Sequence, residues 1–286
     1  MSFDGVSKPV EKFSRWESLT RCCLCESEQI DRKFFPDVWI CRRCSLLFRN
    51  PRPGQMDIIS SYDAGVTYAA WQKELDVRAM LWKKRLNILL RYKRSGTLLD
   101  VGTGDGFFLD FAGTFFTVDA TEVSEIGAAY ARSRGYSPAI GDICRLNVFE
   151  RHYDVITLWH VLEHLPFPGA ALRALARSLK SDGILFIAVP NESGSLIKHR
   201  LTGAKGSPFG FLEWGREIHL THFTPKVLSN FLSSNGFRIL DGGVDDVHLE
   251  RTVKTLWAYY GNRLLNALVK LQFDKAMYFV CRLDGN

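Results

Sequence analysis

A glycine-rich turn within residues 98–109 constrains the fold of this 286-residue chain more than any other segment. The apolar run 98–101 is typical of a buried parallel strand, and Gly102, Gly104 and Gly106 follow it at once. Glycine accepts a positive φ angle and lets the backbone approach a ligand closely, because it has no Cβ atom. A strand, a glycine-rich turn and a resumed apolar stretch predict a loop that cradles a nucleotide-like cofactor in a parallel α/β sheet.

The spacing of these glycines and the next strand narrow the type of cofactor. The dinucleotide fingerprint G-x-G-x-x-G would place its third glycine at position 107, where this chain has phenylalanine. A second apolar strand, 116–121, leads into Glu122, about where a βαβ unit places an acid against a ribose diol. Asp119 is the alternative if that strand runs differently.

Further motifs follow in a fixed order along the chain. They are the turn at Gly141 and Asp142, the apolar strand 153–159, a helix over 169–179 and the strand 184–189. This order resembles that of the class I S-adenosylmethionine-dependent methyltransferases, over roughly residues 80–245. The resemblance implies an α/β fold with a Rossmann-like seven-stranded sheet, helices on both faces and an antiparallel last strand near 277–283.

The resemblance also implies how the cofactor is held. Asp100 is expected to face the amino group of the methionine moiety, and Glu122 to bind the ribose hydroxyls. Asp142 and Ile143 match the pair that covers the adenine ring. The full set of expected S-adenosylmethionine-binding residues is Asp100, Gly102, Thr103, Gly104, Gly106, Glu122, Asp142, Ile143, Trp159 and His160.

Two C-x-x-C pairs near the N-terminus predict a metal site. Cys22 and Cys25 are separated by fifteen residues from Cys41 and Cys44, and such knuckles supply four thiolates to one tetrahedral zinc ion. We therefore divide the chain into a zinc-binding module, 1–54, a helical bridge, 55–95, and a methyltransferase domain, 96–286. A zinc ribbon before such a domain is similar to the arrangement in sugar C-methyltransferases and related small-molecule enzymes, where it helps to cover the substrate.

Basic residues in the zinc module leave nucleic acid open as an alternative partner. They are Arg32, Lys33, Arg42, Arg43, Arg49 and Arg52. Within the bridge, the apolar spacing of 71–92 predicts a helix that packs over the cofactor pocket, and Tyr62 and Tyr68 are candidates for substrate contact.

The sequence His160-x-x-Glu163-His164 matches the inverted zinc-protease signature, but Leu165 and Pro166 end any helix too early for that class. Two interpretations remain open: a divalent ion held by His160, Glu163 and His164, or hydrogen bonds that fix the loop.

Two histidines beyond the last parallel strand are the candidate catalytic residues. A long stretch, 192–216, predicts an irregular loop beside the substrate, and the run that follows it resembles a family segment whose histidine is the general base. The match falls on His219, and His222 replaces the family's tyrosine. Imidazole is well suited to proton removal near neutral pH, although His219 would equally suit a role in capping the next helix.

The composition indicates where in the cell the protein acts and which partners it has. The polar N-terminal segment and the seven cysteines favour a reducing, cytoplasmic location without a membrane span, while a basic amphipathic helix over 251–271 could touch a membrane surface. The net charge of +6 gives little support for an anionic partner. We expect methyl transfer to a small metabolite or a glycan or lipid-linked precursor; an RNA methyltransferase and a non-catalytic cofactor-binding scaffold are the alternatives.

Overall fold

The computed structural model describes residues 13–34, 37–64, 68, 71–73, 75–144, 146, 152–205, 207–210, 212–213, 218–245 and 275–284. The helix expected over 251–271 lies outside the described residues. The strands, in chain order, are β1 (Trp16–Glu17), β2 (Ile30–Phe34), β3 (Val38–Cys41), β4 (Leu47–Arg49), β5 (Arg52–Pro53), β6 (Gly96–Val101), β7 (Phe116–Glu122), β8 (Ala139–Ile140), β9 (Tyr153–Trp159), β10 (Leu179–Pro190), β11 (Thr221–His222), β12 (Phe237–Val244) and β13 (Ala276–Leu283). The helices are α1 (Gln55–Asp63), α2 (Leu75–Leu89), α3 (Phe107–Ala112), α4 (Glu125–Ser133), α5 (Pro168–Ser178), α6 (Ser193–Thr202) and α7 (Pro225–Ser234), with a short 3₁₀ helix at Leu162–His164.

Seven strands form one central sheet in the order β12-β13-β10-β9-β6-β7-β8. The pairs among β10, β9, β6, β7 and β8 are parallel, whereas β13 pairs antiparallel with both β10 and β12. The predicted Rossmann-like sheet and its antiparallel last strand are therefore confirmed.

Helices cover both faces of this sheet. Neighbouring residues such as Leu98 and Leu99 enter two different apolar clusters, one on each face. One cluster contains α2 and α3, and the other contains α5 and α7. Strands buried on both faces appear in the sequence as continuous apolar runs, and this is why they could be predicted from the sequence.

The cysteine-containing segment folds as a small antiparallel sheet that packs against the core of the large sheet. Strands β2, β3 and β4 pair in order, and β11, from far along the chain, adds a fourth strand beside β4. Leu24 and Phe48 are fully buried in the same apolar cluster as Leu172 of α5. The boundaries at 54/55 and 95/96 stay predictions, but the two parts share one core.

Two sequence expectations differ from the structure. The bridge helix begins at Leu75 rather than at residue 71, and α1 supplies much of the cover over the cofactor cleft. The stretch expected to be an irregular loop contains helix α6. No residue of α6 is buried, so its sequence carries no apolar periodicity that could have predicted it.

Among the described residues, no helix combines the length and hydrophobicity that a bilayer-crossing segment needs.

Candidate active site

The glycine loop forms the floor of a cleft at the carboxyl ends of the parallel strands. Gly102 and Gly104 line the cleft with φ angles of +67° and +59°. A Cβ atom at Gly102 would lie 2.7 Å from a Val161 methyl group, and one at Gly104 would lie 2.8 Å from the Trp71 ring. Both positions therefore require glycine for conformation and for space.

Glu122 ends β7 inside the cleft, and its carboxylate is held by the backbone. Oε2 accepts a hydrogen bond from Gly104 N–H at 2.7 Å, and Oε1 accepts from the N–H groups of Val123 and Ser124 at 2.8 and 2.9 Å. Burial raises the pKa of Glu122, although these three donors oppose the shift. The Tyr68 hydroxyl opposes the shift as well, so four donors surround this carboxylate.

The turn after β8 forms the other end of the cleft, where the sequence predicts the adenine site. Gly141, Asp142 and Ile143 all line it. Gln55 from α1 donates to Asp142 Oδ2 at 2.9 Å, and Cys144 N–H donates to Oδ1 at 2.9 Å. The side chain of Asp142 is thus fixed at the cleft wall.

Residues of α1 and of the segment between α1 and α2 cover the cleft, whereas α2, within the segment predicted to pack over it, lines none of it. Ile58, Ile59 and Tyr62 from α1 line it, together with Tyr68 and Trp71.

Two polar contacts, which the sequence analysis missed, hold this cover on the glycine loop and on α4. Arg78 donates two hydrogen bonds, of 2.6 and 2.7 Å, to the buried carboxylate of Asp105. Ser124, which caps α4, donates from its hydroxyl to Asp63 at the end of α1, at 2.8 Å.

Three of the predicted cofactor residues lie behind the cleft rather than on its surface. Asp100 is 1% exposed and accepts a hydrogen bond of 2.6 Å from the Thr157 hydroxyl on the adjacent strand, and burial raises its pKa to about 7. Thr103 N–H donates to the Thr121 carbonyl, and Gly106 begins α3 facing Ala131. The contact of Asp100 with the methionine amino group stays a prediction.

The aromatic residues beside the loop leave the cleft open. Phe108 is buried in the core against Trp82 and Trp159, and Phe107 packs on Phe111. Trp159, the predicted neighbour of the reacting methyl group, lines the cleft at the end of β9.

His160 directly follows β9 in an uncommon backbone conformation. Its φ angle is +56°, which is rare for a residue with a side chain and often marks a functional site. Burial lowers the pKa of His160, but Asp245 at 3.2 Å and Glu163 at 3.3 Å together raise it to about 9. Asp245 is in turn paired with the buried Arg85, which holds its pKa below the usual range.

Two histidines in edge-to-face contact lie between the cofactor cleft and a second pocket. His164 lines the cleft, and its ring centroid lies 4.9 Å from that of His219. His219 lines the neighbouring polar pocket. Thr224, not His219, caps the following helix through its hydroxyl, so the capping alternative for His219 does not hold.

The polar pocket lies between α6, residues 208–210 and 212, and the cysteine-containing sheet. Its polar lining residues are Arg49, Glu192, Ser195, His219 and His222. His222 is in β11, stacked at 3.7 Å on the Phe209 ring and 3.5 Å from a Glu192 oxygen. It is only 3% exposed, and burial lowers its pKa, so at neutral pH it is an uncharged wall of this pocket.

The four predicted cysteine ligands come together. Cys22 Sγ lies 3.6 Å from Cys44 Sγ, and Cys25 Sγ lies 3.6 Å from Cys41 Sγ, with all four sulfurs within 4.8 Å of one another. A tetrahedral zinc ion with bonds of about 2.3 Å separates its sulfurs by about 3.8 Å. The geometry fits such an ion. Cys23 faces the core, where burial raises its pKa to about 12.

Comparisons with known proteins agree with this architecture. A family model for a methyltransferase domain matches residues 71–241, more than half of the chain. The ubiquinone biosynthesis O-methyltransferase of Caulobacter vibrioides is 33% identical over 139 residues, which are 42% of this chain and 55% of that protein. The matched region thus spans about half the length of that relative.

Solved structures show the same fold. An S-adenosylmethionine-dependent methyltransferase from Clostridium acetobutylicum aligns with a TM-score of 0.50 at 16% identity, over 76% of this chain and 98% of that one. The complex of DhpI with SAH aligns with a TM-score of 0.51 at 17% identity, over 81% and 97% of the two chains.

The parallel sheet, the glycine floor and the acidic residue at the end of β7 define a Rossmann-like protein with a nucleoside-type cofactor cleft. The chain belongs to the methyltransferase-domain family.

Proposed function

We propose that this enzyme transfers the methyl group of S-adenosylmethionine to a hydroxyl group of a small molecule, free or as a glycan or lipid-linked precursor. The observation that carries the proposal is the contact between His164, which lines the cofactor cleft, and His219, which lines the polar pocket. A methyl group held in the cleft and an acceptor held in the pocket would meet at this pair. The name of the Caulobacter relative supports O-methylation of a small molecule, and carbon methylation remains the alternative.

Methyl transfer from a sulfonium ion depends more on how donor and acceptor are positioned than on further activation of the methyl group. The acceptor oxygen attacks the sulfonium methyl group in line: the new O–C bond forms as the C–S bond breaks, and S-adenosylhomocysteine leaves with the electron pair. Correct distance and alignment supply most of the rate. We assign His219 as the base that takes the hydroxyl proton, and His222 as a neutral residue that helps to shape the acceptor pocket.

In the cleft, we propose that the glycine floor of Gly102 and Gly104 carries the cofactor and that Glu122 binds its ribose hydroxyls. Asp142 and Ile143 take the adenine, and Trp159 and His160 lie beside the reacting methyl group. Asp100, Thr103 and Gly106 lie behind the cleft and hold the glycine loop in place.

We further propose that the four cysteines hold a structural zinc ion. Fewer than fifty residues cannot build a self-sufficient core, so the metal would fix the small sheet whose strand β4 pairs with β11 and thereby supports the acceptor pocket. A cytoplasmic location belongs to this proposal, and all seven cysteines are free of disulfides.

The RNA alternative loses part of its basis in the structure. Arg49 and Arg52, two of the basic residues considered for nucleic acid, are 3% and 0% exposed and are paired with Asp37 and Glu17. Buried and paired guanidinium groups cannot bind phosphate on the surface.

Isothermal titration of the zinc-loaded protein with S-adenosylmethionine tests the cofactor assignment, and absence of binding would overturn it. A panel of hydroxylated small molecules then tests the acceptor class. His219→Ala is expected to keep the cofactor affinity but to lower kcat by about 10²–10⁴-fold, the usual contribution of a general base. His152→Ala, an exposed histidine away from both pockets, is the matched control.

A further inference from the structure

The polar pocket contains an acidic residue that the proposed reaction does not yet use. Glu192 lines this pocket together with Arg49, Ser195, His219 and His222. It stands directly before the first turn of α6, a position where a side-chain oxygen commonly accepts a backbone N–H of the helix. The Glu192 carboxylate makes no such bond, so the cap of α6 does not account for this acid.

Backbone contacts fix Glu192 beside the segment that carries His222. Its N–H donates to the Phe223 carbonyl at 2.9 Å. The first N–H of the helix, from Ser193, donates to Asn191 Oδ1 at 3.1 Å and not to Glu192. A Glu192 carboxylate oxygen lies instead 3.5 Å from His222 Nδ1, on the wall of the pocket. The acid is therefore directed away from its own helix.

The Glu192 carboxylate is ionised and has room for a further donor. Burial raises its pKa, but the neighbouring His222, Ser195 and His219 together hold the pKa below its usual range. The side chain is 14% exposed, and within the described part of the chain no lysine or arginine pairs with it. His222 Nδ1, at 3.5 Å, is at the outer limit of a hydrogen bond. A nearly buried carboxylate of this kind favours a ligand that donates hydrogen bonds to it.

Two other side chains of the pocket wall are buried and have polar atoms without partners. His222 is 3% exposed, and neither of its ring nitrogens forms a hydrogen bond with a described residue. Arg49 is also 3% exposed; its Nη1 donates to Asp37 at 2.6 Å and its Nη2 to the Gly210 carbonyl. The Nε atom of Arg49 has no partner among the described residues. Because unsatisfied buried groups are costly, we expect a ligand in this pocket to satisfy them.

These observations define the chemistry of that ligand. A hydroxyl group both donates and accepts hydrogen bonds, so neighbouring hydroxyls can satisfy an acid and an N–H donor at once. The charge of Arg49 is balanced by Asp37, and His222 is uncharged at neutral pH because burial lowers its pKa. Glu192 therefore leaves the pocket with a negative charge, which disfavours an anionic ligand.

We propose that Glu192 binds a second hydroxyl group of the acceptor, next to the hydroxyl that loses its proton to His219. The N–H groups of Arg49 and His222 donate to the oxygens of the same pair of hydroxyls. The acceptor is then an uncharged vicinal diol, and Glu192 determines the specificity for it. The inference rests on the proposed function, because it takes the polar pocket as the acceptor site.

The test compares matched pairs of probe compounds: catechol with phenol, and cis-cyclohexane-1,2-diol with cyclohexanol. Calorimetry measures their binding to the zinc-loaded protein saturated with S-adenosylhomocysteine, and labelled S-adenosylmethionine measures their methylation. We expect the parent to prefer the diol by about tenfold or more in at least one pair. The pair that shows the preference distinguishes an aromatic from a saturated acceptor. Salicylate, with a carboxylate beside its hydroxyl, is expected to bind more weakly than catechol.

Variants then assign the preference to one side chain. Glu192→Gln keeps the size of the residue but loses its charge, so the affinity for the diol should fall by about tenfold or more. Its affinities for the monohydroxy compound and for S-adenosylmethionine should stay those of the parent. Glu213→Gln, which removes an exposed acid next to the pocket residue Leu212, is the matched control and should keep the preference.

Normal binding of S-adenosylmethionine shows that a variant is folded, and Glu192→Asp, which keeps the charge but withdraws it from the diol, replaces Glu192→Gln should the latter not fold. A parent protein that binds and methylates the diols no better than the monohydroxy compounds, or not at all, overturns the inference. Retention of the diol preference by the variant at position 192 overturns it as well. Absence of S-adenosylmethionine binding by the parent overturns the proposed function instead.

Discussion

Glu122 shows how one side chain organises the cofactor site before any ligand arrives. Its two oxygens connect the glycine loop after β6 with the turn that begins α4. The charge that would bind a ribose diol therefore also fixes the floor on which the cofactor rests. Such preorganisation lowers the ordering cost of binding.

The first prediction replaces this carboxylate by an amide. Glu122→Gln loses acceptor capacity toward both the backbone donors and the ribose, and hydrogen bonds to a charged group contribute about 1.5–3 kcal/mol. We expect S-adenosylmethionine affinity to fall by about ten- to a hundredfold in a calorimetric titration. Glu125→Gln, an exposed acid on the neighbouring helix turn, is the control; equal effects of the two changes would contradict the assignment.

Asp100 gives a prediction for the pH dependence of stability. Burial raises its pKa from 3.8 to about 7, so between these values the folded chain holds a proton that the unfolded chain has lost. Its contribution to the free energy of unfolding therefore falls as the pH rises from about 4 to about 7, by at most about 4 kcal/mol.

Asp100→Asn mimics the protonated side chain at every pH and removes this loss. We expect the variant to gain stability over the parent as the pH rises from about 4 to about 7 and to keep that gain above it. Urea unfolding of both proteins across this range measures the difference. A difference that stays constant with pH would show that burial of the charge is not responsible.

At the scale of elements, helix α5 and the cysteine-containing segment are in direct backbone contact. A Cβ atom at Gly169, in the first turn of α5, would overlap the carbonyl oxygen of Leu24. Only glycine allows the backbone of α5 to come this close to Leu24. The close contact keeps Leu24 and Leu172 together in the shared apolar cluster.

Gly169→Ala is therefore expected to destabilise the protein by about 1–3 kcal/mol or more, because a backbone atom cannot move aside as a flexible side chain can. Gly210→Ala is the control, since no described atom outside its chain neighbours lies within 4 Å of the added methyl group. Unfolding by urea compares the two; a loss of stability at Gly210 similar to that at Gly169 would refute the contact argument.

Elements with long apolar runs could be predicted from the sequence. Elements that contain a turn-like stretch or a register shift could not. Strand β9 was predicted with its observed limits. Strand β10 begins five residues earlier than expected, because Ser181, Asp182 and Gly183 read as a turn, whereas the structure absorbs them in a register shift between Leu179 and Ile184. The cofactor site divides in the same way: the glycine loop and Glu122 are local motifs, but the pairs Arg78–Asp105 and His160–Asp245 exist only after folding.

At the scale of the whole molecule, the four-cysteine site and the large sheet are parts of one cooperative unit. Phe48, Leu162 and Phe223 lie in a single apolar cluster that spans both. β11 pairs with β4, and Arg49 N–H donates to the Leu220 carbonyl at 2.8 Å. The small sheet cannot loosen without disturbing the segment that carries His219 and His222.

Removal of the proposed zinc ion is therefore expected to lower the stability of the entire protein. With a strong chelator, the thermal midpoint should fall in one transition, by about 2–4 °C for each kcal/mol of metal-binding energy that folding loses. Far-ultraviolet circular dichroism and tryptophan fluorescence should report the same midpoint. Two separate transitions, the larger unaffected by the chelator, would contradict a shared core.

The strand β11 has a further consequence for how molecules of this protein behave beside one another. An open sheet edge is a template on which a second molecule can add a strand. Here the chain's own Thr221 and His222 occupy one edge of the four-stranded sheet, and the opposite edge, β2, carries Asp31, Arg32 and Lys33. One edge of the sheet is already occupied by the chain's own strand, and the other edge carries charged side chains. At high concentration, we therefore expect this sheet not to add strands from other molecules and aggregate.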